Sequence, residues 1–332
     1  MKNTRTAEMP LRRGTFTAGQ GVFQPAYASA DDPSNPEGDD VTDRGTTGAA
    51  GRMLIARGLH ALLIRSGRKQ NEVAKTAGVS VGTVTRYLGW QDRSRLRVPT
   101  MRAIAEACGA TAAERDALVQ LVSDQDSGWW MDHPAVPEIL DPLVSFEAYA
   151  TYEHVWANSL IPGLLQTPRY ALALHQATDV RLDAEAIASR VDARIKRQAI
   201  LDRSPALHLW VVLDQQVLRR SVGGADVMAE QIDHLTAMAE RPNVDIQVLP
   251  AAIGAHAAGS GGHFVLLGRD DESEPLASMA VVYLELHRKG LYLDGPDDVA
   301  GYKIMFDYLR RDAADSARSL TLMADARQEH TR

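Results

Sequence analysis

The stretch "QNEVAKTAGVSVGTVTRYL", residues 70–88, decides how the first part of the chain folds. Its apolar spacing predicts two short helices, Gln70 to Ala77 and Ser80 to about Leu88. Between them, Gly78 can take the left-handed conformation without steric cost. Ser80 is placed to cap the second helix, its hydroxyl oxygen accepting from the backbone N–H of Gly82 or Thr83. Ala74 is small enough to let the helices cross closely, and Val73, Ala77, Val79, Val84 and Tyr87 fall at inward positions. What remains outside is Val81, Gly82, Thr83, Thr85, Arg86 and Gly89.

Working outward, Ile55, Leu59, Leu62 and Leu63 form an apolar helical stripe that ends near Ser66-Gly67. Pro99 and Thr100 open a fourth helix, with Met101, Ile104 and Ala105 inward and Gly109 closing it. Thr111 caps a fifth, which carries Leu118, Leu121 and Val122. Five helices over residues 51–123 make an all-α domain. Its charge sets it apart from the rest of the chain. Between Gly51 and Ala103 stand Arg52, Arg57, Arg65, Arg68, Lys69, Lys75, Arg86, Arg93, Arg95, Arg97 and Arg102, against only Glu72 and Asp92. That segment carries +9 in a chain of net charge −7, so the remainder carries −16. A basic module joined to an acidic body is the asymmetry expected of a nucleic-acid-binding domain attached to something else.

The pattern Gln70-x-x-Val73-Ala74-x-x-Ala77-Gly78-Val79-Ser80-x-x-Thr83-Val84-x-Arg86 resembles the Cro/cI-type (Xre-family) helix-turn-helix, a five-helix DNA-binding domain, over about residues 52–123. In that motif the third helix enters the major groove with its N-terminal residues at base edges. The resemblance therefore implies base reading by Val81, Thr83, Thr85 and Arg86. Arg86 is the best reader, because its fork matches guanine O6 and N7. Gln70 and Ser80 are implied phosphate contacts. Arg93, Arg95 and Arg97, in the following loop, are expected to meet phosphates and so to add affinity and salt dependence; the alternative is a solvated basic loop. The sequence departs from the family pattern at Gly82, inside the reading helix, and at Trp90.

Residues 1–50 hold many turn formers and little periodicity and are expected to be a disordered tail. "SDQDSGWWMDHPAVP", from Ser123, reads as a connector, so residues 124–140 are expected to link two domains, with Trp129 and Trp130 as packing anchors. Beyond it, helices are predicted around 143–157, 167–177, 183–203, 225–241, 297–312 and 316–325. Strands are predicted at 207–213, 244–250, 263–268, 279–286 and 290–294. The last strands leave no room for crossover helices, so part of the sheet should be antiparallel and the domain, over 141–326, α+β.

"SLIPGLLQTPRYALAL" (159–174) and "RIKRQAIL" (194–201) resemble the C-terminal domain of unknown function that follows Xre-type modules in many actinobacterial regulators. "LRRSVGGADVMAEQIDHL" (218–235) extends the match, and the sequence departs from it at Asp214-Gln215. The resemblance implies a transcriptional regulator whose C-terminal domain serves dimerisation, ligand sensing or docking of a small partner protein.

Other chemistries find little support. "GAHAAGSGGHF" (254–264) places His256 and His263 in a Gly-rich loop, but lacks the Gly-Lys-Ser/Thr of a phosphate loop. It reads either as a mobile loop or as a ligand or partner loop with the histidines as donors. His256, His263 and His287 have no metal-ligand spacing, and no metal or cofactor is expected. Arg194, Arg197 and Gln198 read better as a solvated helix face than as a site lining. The single cysteine, Cys108, leaves no intrachain disulfide. No apolar run reaches the ~18–20 residues of a membrane span, and the start has no apolar signal region, so the expected location is the cytoplasm. The reading is a non-enzymatic, sequence-specific regulator that binds double-stranded DNA as a homodimer. The alternatives are an antitoxin-like autoregulator and a helix-turn-helix-targeted nucleotide binder or enzyme.

Overall fold

The structure, a computed structural model, describes residues 48–332 apart from 93, 124–128, 131–132, 137–139, 260, 271–277 and 287–288. The expected tail over 1–50 therefore lies almost wholly outside the described residues, as do Arg93 and His287.

Five helices open the described chain: α1 (Ala49–Ser66), α2 (Gln70–Ala77), α3 (Val81–Leu88), α4 (Val98–Ala107) and α5 (Ala112–Ser123). The punctuation matches the local chemistry. Gly67 ends α1 at φ 65° and Gly78 ends α2 at φ 68°, both in the left-handed region that favours glycine. Ser80 Oγ accepts from Thr83 N–H at 3.0 Å, and Thr111 and Glu114 form a capping box at α5. One apolar core joins these helices through Ile55, Leu59, Val73, Val84, Met101 and Leu118.

The second part is α+β. Its six-stranded sheet comprises β1 (Tyr152–Ala157), β2 (His208–Asp214), β3 (Val244–Leu249), β4 (Phe264–Arg269), β5 (Met279–Leu286) and β6 (Lys289–Leu293), in the order β3-β2-β1-β4-β5-β6. β1, β2 and β3 pair in parallel, and β1-β4, β4-β5 and β5-β6 are antiparallel. The parallel half is linked through helices: α7 (Pro168–Thr178) and α8 (Ala184–Gln198) between β1 and β2, then α9 (Gln215–Arg219) and α10 (Ala225–Met238) between β2 and β3. α6 (Asp141–Tyr149) precedes the sheet; α11 (Pro296–Asp312) and α12 (Ser316–His330) follow it.

The two faces of the sheet bury different layers. Trp156, Val212, Phe264 and Val282 meet Phe306 and Leu309 of α11. On the other face, Val155, Val211, Ile246 and Val281 meet α6, α10 and α12. The helix predicted over 143–157 is a correction: it stops at Tyr149, and residues 152–157 are the central strand β1. That strand is covered on both sides, so it lacks the alternation that marks a half-buried strand.

The two parts share a core. Ala49, Ala50, Met53 and Leu54 of α1, together with Trp90, belong to the same buried cluster as the second domain's sheet and α6. Ala50 N–H donates to Ser145 Oγ at 3.1 Å. The Trp90 ring meets Phe146 edge-on at 5.4 Å and Tyr292 at 5.8 Å between centroids. The helical domain is thus fastened to the α+β domain through α1 and the residue just beyond α3.

Candidate nucleic-acid interface

The turn between α2 and α3 fixes the outer face of α3. Val84 and Tyr87 are buried behind it, against Val73 and Ala74 of α2, while Ala77 and Val79 are half-buried. Val81, Thr85 and Arg86 are exposed on α3, and Thr83 is half-buried with its hydroxyl 2.9 Å from Ser80 Oγ. Thr85 Oγ1 donates to Gln70 Oε1 and to Val81 O, each at 3.1 Å, so the first residue of α2 and the middle of α3 lie side by side. Ser80 is exposed, and Arg95 and Arg97 are exposed in the segment after α3. Gly82 carries no neighbour that forbids a side chain: an added Cβ would meet only Ser80 Oγ, at 3.7 Å.

The segment after α3 is held from both ends. Tyr87 OH donates to Arg97 O at 3.1 Å and accepts from Arg97 N–H at 2.8 Å. Asp92 accepts from Ser94 N–H at 2.9 Å, and Arg86 Nε stands 3.6 Å from Asp92 Oδ2 with both side chains half exposed. Burial raises the Asp92 pKa, but the Ser94 hydrogen bonds and the cations Arg52 and Arg86 outweigh it and hold the carboxyl below its usual range. Arg86 is therefore engaged, weakly and at the surface, by the Asp92 carboxylate.

Three of the basic residues counted in this segment make contacts within the helical domain. Arg52 is fully buried, and its Nη2 donates to Arg86 O and Gly89 O at 2.9 Å each, closing the last turn of α3 from behind. Burial lowers its pKa against the pull of Asp92. Arg65 pairs with Glu114, whose carboxyl is held down at about 2 chiefly by that hydrogen bond. Arg68 donates to Ala107 O. Arg65 and Arg68 make these contacts while remaining exposed, and of the three Arg52 alone is buried, its charge turned inward where a count of basic residues carries no orientation. Trp90, a departure from the family pattern, is the residue that reaches from the end of α3 into the second domain.

In the second domain, His256 meets Trp156 edge-on at 5.0 Å, and His263 is half-buried, its pKa pushed down to about 4 by desolvation. His256 packs on Trp156, on the α11 side of the sheet, and neither histidine lines the cleft between α6, α7 and α8. The proposed solvated face of α8 is a further correction. Arg197 makes a two-pronged ion pair with the fully buried Glu147, Arg194 Nη1 donates to Gln166 Oε1 at 2.7 Å, and Gln198 Nε2 donates to Gly163 O and Gln166 O. Beneath them Glu153, on β1, is buried, and burial followed by the charge of Glu147 raises its pKa well above the ordinary carboxyl range. The Pro162-Gly163 turn of the quoted motif is thus pinned by glutamines: Gln231 Nε2 also donates to Leu165 O, and its Oε1 accepts from Thr167 N–H. Among the described residues, no three His, Cys, Asp or Glu side chains come together in a way that could hold a metal ion. No helix among them is long and apolar enough to cross a membrane.

A capped, outward-facing helix on a tight turn within a five-helix core defines a helix-turn-helix protein, and the helix-turn-helix domain family matches residues 54–118. Residues 140–325, more than half of the chain, match the family described as Domain of unknown function (DUF5753), and the chain belongs to that family. No curated protein and no solved structure matches the chain.

Proposed function

We propose that this chain is a sequence-specific DNA-binding transcriptional regulator of the Xre (Cro/cI) type that acts in the cytoplasm. The observation that carries the reading is the outer face of α3. Thr85 and Arg86 are exposed on a helix that Ser80 caps in front, Arg52 closes behind, and Val84 and Tyr87 anchor to the core. Such a face offers a guanidinium fork to guanine and hydroxyls or methyls to neighbouring bases. Gln70, Ser80, Arg95 and Arg97 surround it as phosphate contacts, which set register and salt dependence without selecting sequence.

One helix-turn-helix reads one half-site, so a homodimer on a two-fold symmetric operator is the working arrangement. The second domain is regulatory rather than catalytic in this reading, and its roles are dimerisation, ligand sensing and docking of a small partner protein. Selection of duplexes from a randomised pool by the purified chain tests the proposal. Enrichment of a two-fold symmetric motif is expected. A pool that stays random under conditions where the chain is folded and binds bulk DNA would contradict sequence-specific regulation.

A further inference from the structure

Helix α11 turns one face to the sheet and leaves the opposite face bare. Val299, Phe306 and Leu309 are buried on the sheet side. On the other side stand Asp297, Ala300, Gly301, Ile304, Tyr308 and Arg311, and all six are exposed. At about 100° per residue they fall within about 60° of Ile304, so they form one stripe along the helix. Ile304 is 57% exposed and Tyr308, one turn on, 47%. No other helix among the described residues exposes two large apolar side chains.

The stripe is complementary to itself. Asp297 lies seven residues before Ile304 and Arg311 seven after; Ala300 lies four before and Tyr308 four after. Two α11 helices laid antiparallel about a two-fold axis at Ile304 set each Asp297 against the second copy's Arg311. Each Tyr308 ring then lies over the second copy's Ala300 and Gly301. That position is a hole: an added Cβ at Gly301 would meet nothing beyond its own helix within 4 Å. The two Ile304 side chains meet on the axis. A parallel pairing in register sets Asp297 against Asp297 and Arg311 against Arg311, which like charges oppose.

The neighbouring charges permit this pairing. Arg311 contacts Asp312 at 2.8 Å and lies over the Tyr308 ring at 4.5 Å, but its side chain is 63% exposed and open to a second carboxylate. Asp307, at the edge of the stripe, pairs with Arg310 of its own helix at 3.1 Å and faces the second copy's Gly301, which carries no charge. Size sets the strength. One helix pair is small beside the ~1,200–2,000 Å² of stable interfaces, so the contact is weak and concentration-dependent. Two adjacent half-sites on DNA hold two chains at high effective concentration and offset the small area.

We propose that the outer face of α11 pairs with the same face of a second copy of this chain, antiparallel, about a two-fold axis at Ile304. A two-fold interface requires that residue i meet j while j meets i, and the charges and shapes along α11 have that form. The seam deepens the homodimer of the regulator reading by giving it a place, and its role on DNA rests on that reading.

The test is sedimentation equilibrium of the full chain without DNA, from about 1 to 300 µM. The parent should pass from monomer to dimer across that range. Ile304→Arg, which sets two like charges on the axis, should weaken the dimer at least tenfold. Asp297→Arg and Arg311→Asp should each do the same alone, because each sets like charges together at both ends of the seam. An equimolar mixture of those two variants should dimerise within about threefold of the parent, since both ends of the mixed pair again join opposite charges. Only folded chains can restore the dimer in this way, so the mixture separates a lost seam from a lost fold. A parent that stays monomeric at 300 µM, a dimer that Ile304→Arg leaves intact, or a mixture as weak as its components overturns the seam. The DNA arm is separate. Ile304→Arg should match the parent on a single half-site and bind a two-fold operator at least fivefold more weakly. Equal operator affinity in that variant overturns the seam's role on DNA. A parent that dimerises through α11 but selects no DNA sequence keeps the seam and overturns the regulator reading alone.

Discussion

Replacing Trp90 by alanine measures how firmly the helix-turn-helix is fastened to the second domain. Trp90 is 5% exposed and touches Phe146 and Tyr292 edge-on, so the truncation empties part of the shared core. Removing a buried tryptophan costs about 3–5 kcal/mol, of which each edge contact supplies about 0.5–1.5 kcal/mol. One offset is present: Nε1 is buried without a hydrogen-bond partner, and deleting it relieves a desolvation penalty of about 1 kcal/mol or more. The net loss should therefore sit near the lower bound, about 3 kcal/mol. At about 2–4 °C per kcal/mol for a domain of this size, Tm should fall by roughly 6–12 °C. Differential scanning calorimetry is the assay. The parent should unfold with the helical and α+β domains coupled, and Trp90→Ala should separate an early transition of the helical domain from a later one. Trp90→Phe, which keeps an aromatic ring in the slot, should recover most of the loss. A Tm within 2 °C of the parent and an unchanged transition shape would show that Trp90 does not fasten the domains.

Asp92→Asn should raise affinity for DNA about two- to fivefold at 0.1 M salt, since it releases Arg86 from an exposed ion pair and removes a negative charge beside the phosphates; anisotropy titration checks it, and a fall in affinity would assign Asp92 a positioning role instead. Gly82→Ala should stabilise the chain by about 1 kcal/mol, because position 82 is open and helical and glycine is the poorer helix former; a raised Tm together with weakened operator binding would show that bare backbone at 82 lies against DNA. His154 and His263, each lowered from 6.5 to about 4 by burial, stay neutral in the folded state. Their depressed folded values contribute stability that is present above pH 6.5 and lost as pH falls toward 4, as the unfolded chain takes up protons that the folded chain refuses. Replacing both by glutamine should flatten that acid limb in urea titrations run across the window, and an unchanged slope would place the acid sensitivity elsewhere.

The helical domain was legible in the sequence because its signals are local. Gly78, Ser80 and Thr111 terminate or cap helices wherever they fold, and an apolar residue every three or four positions identifies a face without any partner. The five strands after α8 were legible for the same reason. What escaped depends on neighbours distant in sequence. "YEHVWA" continues from a helix and is covered on both faces, so it offered no alternation to mark β1. Arg52, Arg194 and Arg197 have the same side chains as solvated arginines, and only the fold turns them toward carbonyls, Gln166 and Glu147. Trp90 departs from the helix-turn-helix pattern, and the partners that explain it, Phe146 and Tyr292, lie far away in sequence.

The central claim is that α3 reads base sequence through Arg86. Fluorescence anisotropy of the parent and of Arg86→Ala, each on the selected operator and on a scrambled duplex, tests it most directly. A bidentate arginine–guanine contact contributes about 1–3 kcal/mol of discrimination. Arg86→Ala should therefore reduce the operator-to-scrambled affinity ratio about 5- to 150-fold while leaving salt-sensitive binding to the scrambled duplex within a fewfold of the parent. An unchanged ratio in Arg86→Ala would contradict the account.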